Sequence, residues 1–145
     1  MKVKQAMTSE VRVVSPGQTI RDAARLMAEL DAGALPVAEN DRLVGMITDR
    51  DIAVRAVADG LPPDTPISKI MSHEVLYCYE DQRLDEVAKN MGQVQVRRLP
   101  VVNRDKRLVG IVSFADLART EAPTTVGRAV SHVSEPGGKH SQAAH

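Results

Sequence analysis

Aromatic residues are almost missing from this 145-residue chain: Phe114, Tyr77 and Tyr79 are the whole set, and there is no tryptophan. Any core must therefore be aliphatic, and with hydrophobic residues at 43% of the sequence there is enough Val, Leu, Ile, Met and Ala to build one. A single cysteine, Cys78, excludes an internal disulfide and a multi-cysteine metal cluster, and fits a reducing compartment. We read it as a small core residue, not a reactive thiol. Net charge is missing too, since 19 Lys plus Arg balance 19 Asp plus Glu. Proteins that hold phosphate backbones carry a clustered basic excess that releases counterions, so nucleic acid is not an expected partner. No apolar run reaches the ~18 residues of a membrane span, and Met1-Lys2-Val3-Lys4-Gln5 lacks the apolar stretch of a secretory signal. The expectation is a cytoplasmic protein with no membrane partner. Phosphate loops of the GxxxxGK type are absent, and His73, His132, His140 and His145 are scattered without zinc or triad spacing. Neither an enzyme nor a metal site is expected.

What is present is an internal repeat of about sixty residues. Met7-Thr8 answers Met71-Ser72, and Leu35-Pro36-Val37 answers Leu99-Pro100-Val101. The stretch from Leu43 to Ile52 answers Leu108 to Leu117, with Gly45, Thr48 and Asp51 matched by Gly110, Ser113 and Asp116. Residues 1–59 form the first repeat and 67–120 the second. Between them, 60–66 is a proline-rich linker, Gly60-Leu61-Pro62-Pro63-Asp64-Thr65-Pro66, stiffened because proline fixes its own backbone and restricts its neighbour. Residues 121–145 lose the apolar pattern and are expected to be a tail, disordered toward its end.

Each copy changes periodicity in the same order. Val11–Val14 and Val75–Tyr79 carry the β-branched or aromatic signal of a strand. Ile20, Ala23, Ala24, Met27 and Leu30 then recur at helical spacing, as do Leu84, Val87, Ala88 and Met91. Thr19 reads as the start of the first helix and Gly33 as its end. Two short apolar runs, Leu35 to Ala38 and Leu43 to Ile47, flank Glu39-Asn40-Asp41-Arg42 and predict a hairpin, repeated around Asn103 to Arg107. A second helix begins near Thr48 or Ser113. The class is α+β, each unit reading strand, helix, strand, strand, helix.

The sharpest constellation is the strand that runs through Thr48 or Ser113 into a helix with aspartate three positions on. By itself this is a capping box: the hydroxyl accepts a first-turn N–H and the acid reaches back. Its repetition admits a second use. An ionised aspartate offers two oxygens to a ribose diol, and free backbone donors of a helix start suit an anion.

These paired units, the Leu-Pro-Val strands and the Gly-apolar-apolar-Thr/Ser-x-x-Asp segments together resemble tandem CBS (cystathionine-β-synthase-type) domain proteins over residues 1 to about 120. The resemblance implies two CBS repeats packed with pseudo-twofold symmetry as a Bateman module, with two clefts between them that in many relatives hold adenine nucleotides. It assigns Thr48 and Asp51 to one cleft and Ser113 and Asp116 to the other, the aspartates taking ribose. Ala34, Leu35, Pro36, Leu99 and Pro100 are candidate apolar walls, with core packing as the plainer alternative for each. Arg97 and Arg98 are candidate phosphate ligands, or else solvated residues paired to an acid. Their counterparts are Gly33 and Ala34, so phosphate affinity is expected to rest on the second copy.

The function this implies is a non-enzymatic regulatory module sensing AMP, ADP or ATP, with NAD or S-adenosylmethionine less favoured. No cofactor is required. Such a module would be a homodimer acting on an effector protein of unknown identity. The rival is a ligand-independent, stress-associated or scaffold protein in which the same segments only cap helices.

Overall fold

The computed structural model describes residues 1–94, 96–120 and Gly127. The tail expectation and His132, His140 and His145 lie outside the described residues, apart from Gly127. The chain divides into two compact units, Arg12–Val75 and Met1–Val11 with Leu76 onward. Neither unit coincides with a sequence repeat. Each is completed by the segment that heads the other repeat.

In the Arg12–Val75 unit, α1 (Ile20–Leu30) precedes the hairpin of β1 (Ala34–Glu39) and β2 (Arg42–Thr48). Thr19 starts α1 as expected: its side chain accepts from the Asp22 N–H (3.1 Å), while an Asp22 carboxylate oxygen accepts from the Thr19 N–H (3.1 Å). The stop is not Gly33 but Asp31, whose φ of 52° and ψ of 48° give it the left-handed conformation that ends a helix. Ile20, Ala23 and Met27 are buried, whereas Ala24 and Leu30 of the expected face are exposed and Leu26 packs partly instead. The hairpin turns tightly through Asn40 and Asp41, with φ of 53° and 64°, the mirror-image turn that matches strand twist. β2 runs into α2 (Asp49–Asp51), which continues with π winding over Ile52–Val57.

The second unit follows the same plan with β3 (Cys78–Tyr79), α3 (Leu84–Val94), β4 (Arg98–Val102), β5 (Leu108–Ser113) and α4 (Phe114–Thr120). Strands β4 and β5 pair antiparallel and β3 joins β4 in parallel. Both hairpins carry a register shift at the same place, after Val37 and after Val101. The leading strands are shorter than their composition suggests. Val11–Val14 reduces to one parallel bridge, Val14 to Val37, and Val75–Tyr79 to the two residues of β3. Val13, Leu76 and Tyr77 are 36–41% exposed, and among the described residues no strand pairs with them to reward their β propensity.

The segments that head the repeats fill the gap. Val3 donates its N–H to the Gln82 carbonyl (3.0 Å), and Thr8 and Ile111 exchange N–H···O bonds (2.9 and 3.0 Å). In the other unit Ile67 donates to the Gln18 carbonyl (2.8 Å), and Ser72 and Met46 exchange bonds (2.8 and 3.0 Å). The linker is therefore part of a unit, its Thr65 hydroxyl donating to the Pro62 carbonyl (2.6 Å) and its Thr65 carbonyl accepting from Ile20. Val3 and Ile67 are 0% exposed and occupy equivalent places in two aliphatic cores.

Cys78 lies in the second core, and burial pushes its thiol up to about 12. A thiol reagent at pH 8 is expected to leave Cys78 unmodified in the native protein and to titrate one thiol per chain after denaturation; rapid native reaction would contradict this placement. The two tyrosines meet edge to face on the surface, where Lys106 donates to the Tyr77 hydroxyl (2.6 Å) and the Arg104 guanidinium, paired with Asp81, covers the Tyr79 ring at 4.1 Å. Among the described residues no helix is long and apolar enough to cross a membrane, and no group of three or more His, Cys, Asp or Glu could hold a metal.

Candidate functional site

The two strand-to-helix junctions are built alike. At the first, Thr48 closes β2 with an extended backbone and its hydroxyl accepts from the Asp51 N–H (3.0 Å). An Asp51 carboxylate oxygen, Oδ2, accepts from the Thr48 N–H (2.9 Å). The Asp49 N–H donates to the Gly33 carbonyl (2.9 Å), fixing where the helix leaves the hairpin. At the second, Ser113 and Asp116 form the same reciprocal pair: Asp116 Oδ2 accepts from the Ser113 N–H (2.9 Å), and Phe114 donates to the Arg97 carbonyl (3.2 Å) as Asp49 does to Gly33. The capping reading of both segments is thus realised, and each aspartate has one oxygen left over.

What happens to that oxygen differs. Asp51 Oδ1 faces Arg55 Nε at 4.0 Å, beyond hydrogen-bond reach, and the Asp51 side chain is 19% exposed. Arg55 spends its Nη1 on the Ile70 carbonyl (3.2 Å). Asp116 Oδ1 is instead engaged by Arg119 Nη2, Asp116 Oδ2 also accepts from the Ser113 hydroxyl (3.2 Å), and the side chain is 5% exposed. The helical winding differs at the two places. Arg119 sits three residues after Asp116 in α4, where i and i+3 are neighbours. Arg55 sits four residues after Asp51 across the change to π winding, whose wider turns carry it toward Ile70. Neither arginine stood out in the sequence; a basic residue one helical turn after each aspartate was the available signal.

Leu35 and Leu99 point into the two cores at 2% and 4% exposure. Pro36 and Pro100 alternate with them on the opposite strand face and are buried as well. Ala34 is half-buried and lies across from Thr48 in the hairpin, as Arg98 lies across from Ser113. Arg97 and Arg98 are exposed, and no acid pairs with either among the described residues. Asp49 is exposed and accepts from the Arg50 N–H, Phe114 packs against the second core, and His73 is exposed.

Two repeats of a β hairpin between helices, each ending in a capped aspartate, define a class that sequence comparison identifies. The CBS domain model matches residues 3–57 and 62–122, and the chain belongs to the CBS domain family. It is 44% identical over 133 residues to the CBS domain-containing protein YhcV of Bacillus subtilis, covering 91% of this chain and 94% of that protein. Hypoxic Response Protein I, solved with two coordinated zinc ions, superposes with a TM-score of 0.76 at 38% identity over 84% of this chain and 100% of that one. The CBS domain pair of protein MJ0100, solved in complex with 5′-methylthioadenosine and S-adenosylmethionine, gives a TM-score of 0.71 at 31% identity over 82% and 94% of the two chains.

Proposed function

We propose that the chain is a non-enzymatic sensor of an adenosyl ligand, with Asp51 accepting hydrogen bonds from the ribose hydroxyls. The observation that carries this reading is the unspent Oδ1 of Asp51, on a carboxylate already held rigid by its capping bond, which a diol can use without dismantling the helix start. The adenosyl compounds bound by the CBS pair of MJ0100 support the ligand class. Arg97 and Arg98, with no acid paired to either among the described residues, remain the groups for a phosphorylated ligand, which would favour AMP, ADP or ATP. Val54 and Val57, 49% and 69% exposed on the π-wound segment, are apolar surface that a second copy would cover in a homodimer, and a cytoplasmic effector protein would read the liganded state. Ligand would act by its differential affinity for one conformation.

A thermal-shift series with AMP, ATP, NAD, S-adenosylmethionine and 5′-methylthioadenosine tests this. At about 100 Kd a true ligand adds ~2.7 kcal/mol, or about 5–10 °C in Tm, and Asp51→Ala is expected to remove the rise. The scaffold reading has its own support, because both Thr/Ser-x-x-Asp segments do cap helices. It takes over if none of the five compounds moves the wild-type midpoint at millimolar concentration.

A further inference from the structure

Resting on the adenosyl reading above, we propose that Arg119 closes Asp116 against the ligand, so that each chain takes one adenosyl ligand, through Asp51, where the repeat predicts two. A diol needs a carboxylate with acceptor capacity facing outward. Asp116 has little to give: Oδ2 accepts from both the backbone and the hydroxyl of Ser113, Oδ1 is held by the Arg119 guanidinium, and the side chain that carries the remaining lone pair is 5% exposed. The charge-assisted contact is the stronger kind of hydrogen bond, and a sugar hydroxyl would have to exchange a neutral contact for it. The arginine also acts as a cover, because its own side chain is 66% exposed while the aspartate beneath is 5% exposed. Thr120 tightens the same turn, its hydroxyl donating to the Asp116 carbonyl (3.0 Å).

In the other unit the equivalent cation stands farther away, Arg55 Nε lying 4.0 Å from Asp51 Oδ1 with no hydrogen bond between them. Arg55 donates to the Ile70 carbonyl, and Ile70 belongs to the start of the second repeat, the segment that completes that unit. Both units receive such a segment, and what sets them apart is the bond of Arg55 to the Ile70 carbonyl. Two residues alike in sequence, each one turn after a capped aspartate, end in opposite roles.

Isothermal titration of the full chain with 5′-methylthioadenosine, which carries no phosphate to draw Arg119 away, reads the stoichiometry. One molecule per chain is expected for wild type and none for Asp51→Ala. Arg119→Gln and Arg119→Met are each expected to raise the count to two, with the added site lost in the double variants carrying Asp116→Asn; circular dichroism confirms that each is folded. A wild-type count of two, a single site that survives Asp51→Ala, or folded Arg119 variants that stay at one would each overturn the closure. Binding that appears only in the Arg119 variants would uphold the closure and remove the Asp51 reading, and no binding in any variant would remove both.

Discussion

Val3→Asp is expected to collapse the unit that contains Leu76 onward, lowering stability by about 3 kcal/mol or more and Tm by about 10 °C. Val3 lies far in sequence from the residues after Leu76 but is 0% exposed in the core it shares with Cys78, Leu84, Val87 and Leu99. Losing the valine forfeits about 1.5–3 kcal/mol of burial, and the carboxylate that replaces it must be desolvated or dragged out with its segment. That segment is held in register by the bonds of Val3 to Gln82, of Lys4 to the Glu80 carbonyl (3.0 Å) and of Leu84 to the Met1 carbonyl (2.9 Å), so withdrawal breaks backbone bonds as well. Cys78 is a built-in reporter of the outcome: its thiol should become reactive in the variant at temperatures where wild type stays protected. Val13→Asp, at a site 40% exposed, is the control and should melt within a degree or two of wild type. Equal melting of the two variants, or a protected Cys78 in Val3→Asp, would show that the segment is not part of that core.

Much of this arrangement is legible in the sequence, and the remainder fails for specific physical reasons. Hairpins and helix starts are local: Thr19 with Asp22, Thr48 with Asp51 and Ser113 with Asp116 sit three residues apart, and Asn40-Asp41 is a turn by composition. The matched pairs Met7-Thr8 and Met71-Ser72 are visible as a repeat, but not that each docks in the other repeat's unit, since nothing short-range records that choice. Strand length is likewise a tertiary matter, and β propensity at Val11–Val14 and Val75–Tyr79 goes mostly unused. Asp31 ends α1 ahead of the more permissive Gly33 because Asp31 and Ala32 satisfy the Ala28 and Met27 carbonyls. The site shows the same limit. Its aspartates are plain in the sequence, whereas the difference between them depends on a change of helical winding after Asp51 and on where Ile70 comes to rest.

The two repeated glycines should fail together when given a single methyl group. At Gly110 a Cβ would stand 2.5 Å from the Met7 sulfur and 2.9 Å from the Thr8 carbonyl oxygen; at Gly45 it would stand 2.8 Å from both the Met71 sulfur and the Ser72 carbonyl oxygen. A thioether can swing aside, but the carbonyls cannot, because Thr8 and Ser72 are bonded to the residues next to those glycines, Ile111 and Met46. The crossing segment must therefore shift or the β5 and β2 backbones must bend, and overpacking of this kind costs about 1–3 kcal/mol. Gly110→Ala and Gly45→Ala are each expected to lower Tm by about 4–10 °C in differential scanning calorimetry. Gly17→Ala has nothing within 4 Å of the new methyl and should match or slightly exceed wild type by stiffening the unfolded chain. Adding Met7→Ala to Gly110→Ala should recover none of the loss, since trimming the sulfur leaves the carbonyl clash and opens a void in the same core. Full recovery in that double variant would place the strain in the side chain and not in the backbone crossing. If instead both alanine variants melt with Gly17→Ala, the close approach of the exchanged segments is not what these glycines provide.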